Sequence, residues 1–316
     1  MLITTERPAV PRPALTTTVA KEYVHRAALA EVFLTGWHKM ADDHFVVTAQ
    51  WPRSHSFYAS ERGFHDPLLL CETVRQTFPL LIHAAYGVPF GHQLSWSHFR
   101  YRVNPGALRA GATPADIELH IRCSEIRRQR VVPSSIRMDI EAVRDNALLA
   151  VASARSGIHS PTVYQWLRRD RGDDIPRVYG QAPSPTTPVH HGTVGRHRAR
   201  DVVLTPTPRK ACWQLRVDTS HPVLFDHPVD HVPGMLLLEA VRQAGHALAA
   251  APAAETPTFM DVRFHQYVEF DSPCWIDGTD TAPPADCADR GARIDARQND
   301  VPVFTASTGM TDLTGA

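Results

Sequence analysis

The chain has 316 residues, 43% of them hydrophobic, and its 33 Lys and Arg residues balance 33 Asp and Glu residues. This length accommodates two domains with buried cores, and the zero net charge argues against a general nucleic-acid-binding protein, which usually carries a basic excess. No apolar run of 18 residues is present, so we expect no membrane span and no membrane partner. The sequence also lacks a signal-peptide core near its start and has five widely spaced cysteines without a Cys-x-x-Cys pair, so we expect a cytoplasmic protein without a disulfide framework.

Two proline-rich stretches divide the chain. Residues 1–20 are rich in Pro and Thr and are predicted to form a flexible N-terminal arm. Six prolines between residues 176 and 208 disfavour helices and central strands, so residues 168–208 are predicted to form an interdomain linker on the surface. Two predicted domains remain, residues 21–167 and residues 209–316.

Both domains contain the same helical motif. Residues 65–76 read HDPLLLCETVRQ and residues 231–243 read HVPGMLLLEAVRQ, and a Ser-His pair ends 17 or 18 residues before the Glu of each motif. Asp66 is predicted to cap the first helix, and Pro233 with Gly234 is predicted to begin the second. Both helices are apolar on nearly every face, which is typical of buried helices. This repetition indicates two copies of one structural unit.

Segments of strand character surround each helix. Residues 116–126 and 135–145 alternate between apolar and polar side chains, which is the period of a half-buried strand. Further strand candidates are residues 44–51, 97–103, 212–218, 259–270, 292–298 and 301–310. One long buried helix wrapped by an antiparallel sheet is the hot-dog arrangement. The predicted fold is therefore α+β, a tandem (double) hot-dog.

Each apolar helix carries a Glu and an Arg three residues apart, Glu72 with Arg75 and Glu239 with Arg242. Such residues share one face of a helix, and charges in a buried helix are costly unless they are paired or used. In a functional interpretation the Glu is a general base and the Arg binds an anion. The alternative is an ion pair that satisfies itself. The sequence leaves both interpretations open.

The segment before the second helix, residues 221–234, is rich in His and Asp. A zinc site there is not favoured, because Pro228 and Pro233 disfavour a regular helix that would bring His227 and His231 together, and no metal is expected. His231 is predicted to be catalytic and His227 to bind substrate, while the aspartates favour turns. Free N–H groups of Gly234 and Met235 at the helix start could hold a carbonyl oxygen or an oxyanion. His65, in the corresponding part of the first domain, is a further substrate-binding candidate.

The stretch 227–243 is similar to the hot-dog acyl-carrier-protein dehydratases in its Pro-Gly, apolar run, Glu and Gln. Phe225, however, stands 14 residues before Glu239, where that family has its His, so dehydratase chemistry is not favoured. A more extensive resemblance, to the A-factor biosynthesis (AfsA) family, covers nearly the whole chain. The segments that carry it are AQWPRSHSFY at 49–58, HDPLLLCETVRQ at 65–76, GVPFGHQ at 87–93 and SHPVLFDHPVDHVPGMLLLEAVRQA at 220–244.

This resemblance implies a double hot-dog enzyme of actinobacterial type that transfers a β-ketoacyl group from acyl carrier protein to the hydroxyl of dihydroxyacetone phosphate. The ester leads to γ-butyrolactone, furan or butenolide signals that control antibiotic production. Functional importance in the family attaches to positions that match Glu72, Glu239 and Arg242. No nucleic acid partner is implied.

The expected roles follow from this chemistry. Glu239 would be the general base and Glu72 a second base or an orienting group, while Arg242 would bind the phosphate, with Arg75 as a further binding residue. No cofactor is expected, nor an acyl-enzyme, because the sequence places no Ser or Cys beside a suitable base. The protein would be a monomer with an internal pseudo-dimer or a homodimer. The alternatives are a non-catalytic acyl-ligand-binding or regulatory protein and a thioesterase or dehydratase.

Overall fold

The computed structural model describes residues 17–59, 63–129, 131–171, 174–249, 255–284 and 288–313. Most of the predicted N-terminal arm, residues 1–16, lies outside these ranges. The helices are α1 (Pro67–Ala84), α2 (Pro161–Arg168), α3 (Ile175–Gly180) and α4 (Gly234–Leu248). The strands of the first half are β1 (Leu34–Ala41), β2 (His44–Trp51), β3 (Gln93–Val103), β4 (Ala115–Gln129), β5 (Val132–Arg144) and β6 (Ala147–His159). Those of the second half are β7 (Leu204–Pro206), β8 (Cys212–Leu215), β9 (Glu255–Phe264), β10 (Cys274–Thr281), β11 (Arg290–Gln298) and β12 (Val301–Asp312).

All these strands form one antiparallel sheet in the order β1-β2-β4-β5-β6-β3-β9-β12-β11-β10-β8-β7. The second six strands repeat the order of the first six in reverse direction, with β7 in the place of β1, β8 of β2 and β9 of β3. Each half thus folds with the same topology around its own long helix, α1 or α4. The predicted tandem hot-dog is confirmed.

The two long helices are buried, as their apolar sequences predict. From Pro67 to His83, Arg75 is the one residue of α1 that is not buried. Asp66 caps α1 as predicted, because its Oδ1 accepts a hydrogen bond of 2.9 Å from the Leu68 N–H. In α4, residues 235–246 are all buried, but Pro233 at the N-cap position provides no side-chain cap.

The halves are joined where β3 pairs with β9, edge to edge, so that backbone hydrogen bonds continue through the sheet. Phe99 lies opposite Val262 and Tyr101 opposite Met260 in this joint. The buried Tyr101 hydroxyl donates to the Pro257 carbonyl oxygen at 2.9 Å. Because neither β3 nor β9 is left with a free edge, each half protects the other from edge-to-edge aggregation.

The structure corrects the predicted linker in its second part. Within residues 168–208, Val194, Val202 and Leu204 are buried, so this part does not lie on the surface. The Val189 N–H donates to the Leu204 carbonyl at 3.0 Å, as the Val19 N–H donates to the Leu34 carbonyl at 2.9 Å. The second structural repeat therefore begins near residue 189. The prolines misled the prediction because they flank, rather than interrupt, a short turn that packs into the core.

Candidate active site

A cavity of about 680 Å³ lies between the halves. Its walls come from the middle of α1, the start of α4, the start of β3 and the segment that follows β9. Arg75 and Phe78 line it from α1, and Gly234 and Met235 line it from α4. This volume and this mixture of apolar and polar walls are typical of a small-molecule site.

Glu72 lies at the centre of an ionic cluster beside this cavity. Its carboxylate is fully buried and contacts Arg26 Nη2 at 2.6 Å and Arg75 Nη2 at 2.8 Å through Oε1. Gln76 Nε2 donates to the same oxygen at 2.7 Å. Burial by itself would raise the pKa of Glu72, but the charges and hydrogen bonds of Arg26 and Arg75 outweigh it and lower this pKa to about 2. The carboxylate is therefore ionised at neutral pH and fully engaged.

Glu239 lies at the centre of a second cluster with the same composition. Arg196 holds it with two hydrogen bonds, Nε to Oε1 at 2.7 Å and Nη2 to Oε2 at 2.5 Å. Gln243 Nε2 donates to Oε1 at 2.5 Å, and Arg242 Nη1 lies 3.6 Å from the same oxygen. The Glu239 side chain is fully buried. These contacts favour the ion-pair interpretation of both helix Glu–Arg pairs.

The two clusters correspond contact by contact. Arg26 and Arg196 each follow a short 3₁₀ turn whose capping residue, His25 or Gly195, has a left-handed conformation. Gln76 binds the Phe33 N–H and the Glu31 carbonyl at 3.0 and 2.7 Å. Gln243 binds the corresponding groups, the Val203 N–H and the Asp201 carbonyl, at 2.9 and 2.8 Å. Each Gln thus ties the N-terminal segment of its half to the helix.

Arg26 and Arg196 were missed by the sequence reasoning, although a signal was present. The pattern Val-x-Arg-x₄-acidic-Val-x-Leu-Thr occurs at residues 24–35 and again at residues 194–205. The second copy falls inside the stretch assigned to the linker, so the repeat was not recognised there.

Asp66 makes the two clusters different. In the second cluster its Oδ2 lies 3.2 Å from Arg196 Nη1 and its Oδ1 lies 3.9 Å from Arg242 Nε. Pro233 occupies the corresponding position before α4 and has no carboxylate. The exposed fraction of the side chain is 8% for Arg242 and 23% for Arg75. The first cluster thus opens to the cavity, whereas a carboxylate of the chain itself covers the second.

His231 lines another part of the cavity, as expected of a catalytic residue, and is oriented by Asp230. The distance from His231 Nδ1 to Asp230 Oδ1 is 2.7 Å. Tyr164 and Arg168 also donate to this carboxylate, each at 2.8 Å to Oδ2. Burial acts to raise the pKa of Asp230, but its bonds and charge interactions with His231 and Arg168 hold that pKa well below its usual range. An ionised Asp230 places the imidazole proton on Nδ1, so Nε2 is left to accept a proton.

The start of α4 is exposed to the same cavity. The first N–H groups of a helix have no acceptor within the helix, and Pro233 supplies no side-chain cap for them. Gly234 and Met235, which carry these groups, both line the cavity. The predicted oxyanion-binding position is therefore next to the His231 wall.

The other predicted residues lie farther from this centre. His227 is on the cavity wall, bonded to Asp226 at 3.2 Å, with 43% of its side chain exposed. His65 does not belong to the cavity lining but is buried against the Trp51 ring, because the residue before α1 points into the core. Burial, with a smaller contribution from Arg144, lowers the pKa of His65 to about 4. Among the described residues, no group of three or more His, Cys, Asp or Glu side chains could hold a metal ion.

One expectation is wrong: a Ser does lie beside a suitable base. Ser95 Oγ is 2.8 Å from His159 Nε2, and both side chains line the cavity. Burial lowers the pKa of His159, which favours the neutral form of this imidazole. Ser95 and His159 come from β3 and β6, which are neighbours in the sheet but 64 residues apart in sequence.

The fold and the cavity define a tandem hot-dog protein with an open cavity between its halves. The A-factor biosynthesis hotdog domain family matches residues 9–159 and 180–312, and the chain belongs to this family. It is 45% identical to a 2-oxo-3-(phosphooxy)propyl 3-oxoalkanoate synthase of Streptomyces virginiae, over 93% of this chain and 98% of that protein. A protein of the same name from Streptomyces griseus is 40% identical over 91% of this chain and 93% of its own length.

Among solved structures, the chain resembles a putative oleoyl thioesterase of Lactobacillus plantarum. The TM-score is 0.52 and the sequence identity 12%, over 84% of this chain and 96% of that one. This similarity concerns the fold alone. None of the helices in the described part of the chain is long and apolar enough to cross a membrane.

The Gln side chains of the two clusters provide a stability test. Replacing Gln76 with Leu leaves the buried Phe33 N–H and Glu31 carbonyl without their partner, which costs about 1–3 kcal/mol for each group. We expect the free energy of unfolding in urea to fall by about 2–5 kcal/mol in Q76L and by a similar amount in Q243L. The control Q50L removes an exposed amide bonded to Asp116 and should stay within about 0.5 kcal/mol of the parent. Equal stabilities of Q76L and Q50L would contradict a stabilising role of the Gln76 hydrogen bonds.

His65 provides an acid-stability test. Between pH 6.5 and about 4 the unfolded chain binds a proton at this residue that the folded chain does not, so stability falls as the pH falls. The full effect is on the order of 3 kcal/mol, and it is absent above pH 7. Unfolding free energies of the parent and H65F, measured from pH 7.5 to 4, should diverge over this window. Parallel curves would show that His65 does not titrate in this way.

Proposed function

We propose that this protein transfers a β-ketoacyl group from a thioester on acyl carrier protein to the hydroxyl of dihydroxyacetone phosphate. The relatives' name describes the ester that this reaction forms, and the chain matches them over nearly its whole length. The observation that carries the proposal is the cavity, because it brings together an oriented imidazole, free helix N–H groups and two arginines. The product is the precursor of a γ-butyrolactone, furan or butenolide signal.

His231 is the general base in this proposal. An imidazole oriented through Nδ1 by a carboxylate can accept a proton at Nε2. The pKa of Glu72 is too low for this task, and both oxygens of Glu239 accept hydrogen bonds from Arg196. The two Glu side chains instead hold arginines in place. Replacing either Glu would therefore lower activity by displacing the arginines and not by removing a general base.

The transfer needs no covalent intermediate in this scheme. His231 Nε2 takes the proton of the acceptor hydroxyl, and the alkoxide oxygen attacks the thioester carbonyl carbon. The N–H groups of Gly234 and Met235 stabilise the tetrahedral oxyanion. When the C–S bond breaks, the leaving thiolate accepts from His231 the proton that came from the acceptor hydroxyl. The exchange balances without an oxidant, reductant or cofactor.

The partners and the setting are parts of the same proposal. Acyl carrier protein would present its thioester at the mouth of the cavity, in the cytoplasm. Because one chain contributes both helices and both ends of the cavity, a monomer suffices, and a homodimer would add a second equivalent cavity.

Thioester hydrolysis is the second candidate, and the Ser95–His159 pair favours it. A neutral imidazole bonded to a serine hydroxyl can activate that serine for attack on a thioester. Water would then release the acid from the acyl-serine. An S95A variant separates the candidates, because it should abolish hydrolysis but leave more than about a tenth of an ester synthesis that proceeds by direct transfer.

Replacing His231 with Gln tests the proposed function. We expect kcat for ester formation from a β-ketoacyl carrier protein and dihydroxyacetone phosphate to fall by about 10²–10⁴, because the base is lost. Mass spectrometry would distinguish the phosphorylated ester, the free acid and unchanged thioester. The control H38Q changes an exposed His on β1 and should keep the parental rate.

Two outcomes would contradict this assignment. Full ester formation by H231Q together with its loss in E239Q would make Glu239 the base. Unchanged thioester with the parent protein would favour a non-catalytic acyl-binding role.

A further inference from the structure

The two arginine clusters have the same arrangement around the helix Glu, but they differ in whether a second carboxylate contacts the arginines. In the first cluster Arg26 and Arg75 surround Glu72, and in the second Arg196 and Arg242 surround Glu239. Each cluster therefore holds two guanidinium groups against one helix carboxylate. Because these groups are buried or nearly so, an unbalanced charge in either cluster would be costly.

Asp66 supplies the second carboxylate in the second cluster. Its Oδ2 contacts Arg196, its Oδ1 faces Arg242, and the same Oδ1 accepts the Leu68 N–H at the start of α1. The Asp66 side chain is only 4% exposed. The Asp66 carboxylate thus lies between the start of α1 and the arginine pair of the second cluster.

The first cluster has the same geometry without that carboxylate. Pro233, at the position of Asp66, has φ −60° and ψ 142°, close to φ −65° and ψ 124° for Asp66. The Asp226 carboxylate interacts with Arg26 through its charge, but its hydrogen bonds come from the Ala27 and Ala28 N–H groups and from His227. The position that Asp66 occupies at the second cluster thus corresponds to part of the cavity at the first cluster.

We infer that Arg26 and Arg75 bind the phosphate of the acceptor. The phosphate takes the position at the first cluster that the Asp66 carboxylate occupies at the second cluster, and the second cluster is closed to substrate. The inference rests on the proposed function for the identity of the anion. Guanidinium groups bind phosphate oxygens with charge-assisted hydrogen bonds, and Arg75 can donate to a phosphate through Nη1 while Nε and Nη2 keep their bonds to Glu72 and the Val24 carbonyl. The predicted phosphate residue Arg242 is replaced in this role by its counterpart Arg75.

The size of the acceptor agrees with this placement. Three carbons separate its hydroxyl from its phosphate, so both groups must bind in the same region of the cavity. Arg26, Arg75 and the start of α4 line that region together. A phosphate held there leaves the hydroxyl near the Gly234 and Met235 N–H groups, where the thioester oxygen would bind.

Placing an Asp at position 233, which corresponds to Asp66 and precedes α4, tests the inference directly. In P233D the new carboxylate should cap α4, neutralise Arg26 and Arg75, and exclude phosphate. P233N is the matched control, because Asn caps a helix equally well but carries no charge. Phosphorus NMR titration with inorganic phosphate should show one site per parent chain, an affinity within about threefold of the parent for P233N, and at least tenfold weaker binding for P233D.

The R75Q variant provides an independent arm that does not depend on P233D folding. We expect R75Q to weaken phosphate binding at least tenfold and to raise KM for dihydroxyacetone phosphate similarly, with little change in KM for the acyl donor. Phosphate binding that is unaffected by both R75Q and P233D, or two equal phosphate sites in the parent, would overturn the inference. A rise in donor KM alone would also overturn it, because the arginines would then hold the phosphodiester of the carrier's prosthetic group.

Failure of the proposed acyl transfer would give results different from failure of the phosphate site. If phosphate binds and responds to R75Q and P233D but no ester forms, the anion site stands and the proposed acyl transfer fails. If ester forms while neither substitution changes phosphate affinity or acceptor KM, the acyl transfer stands and the anion site is wrong.

Discussion

The structure depends on a carboxylate buried in the middle of an apolar helix. Glu72 and Glu239 are fully shielded from water, so each requires a cation at hydrogen-bond distance. The helix supplies one arginine, and a short turn at the beginning of the same half supplies the other. The ion pair therefore ties the start of each hot-dog unit to its central helix, and the neighbouring Gln side chain completes the tie through backbone groups. The same interaction that completes the core also fixes two guanidinium groups beside the gap between the halves.

The site forms because the chain contains two copies of this unit, each of which supplies part of the cavity wall. Since β3 pairs with β9, the two halves face each other, and the start of each long helix meets the arginine pair of the other half. Where the helix begins after Asp66, the Asp66 carboxylate contacts Arg196 and faces Arg242 of the second cluster. Where it begins after Pro233, the arginines and the helix N–H groups line a cavity instead. At corresponding positions, Asp66 thus contacts one arginine cluster, whereas Pro233 lines the cavity together with the arginines of the other.

Much of this could be predicted from the sequence, but not all. The repeated helix motif gave α1 and α4, the Asp66 cap and the tandem hot-dog, because buried helices and alternating strands have distinctive local patterns. The short turn before Arg196 was hidden among prolines and was assigned to a linker. The sequence favoured His231 over His65 as a catalytic residue, but it could not show that the His65 side chain packs against Trp51 in the core. The contact between Ser95 and His159 could not be foreseen at all, since it follows from strand pairing between β3 and β6.

The sequence by itself determined that two copies of one unit exist, that each carries a Glu and an Arg three residues apart in an apolar helix, and that the chain resembles the A-factor biosynthesis family. These properties are local or repeated, so they can be recognised in a linear pattern. The tertiary structure alone decided which charges meet. Asp66 reaches the arginines of the opposite half, 130 residues away from Arg196, and Asp230 orients His231 with help from Arg168. Electrostatic balance depends on distance in space, and the sequence does not specify which of many charged residues will be neighbours.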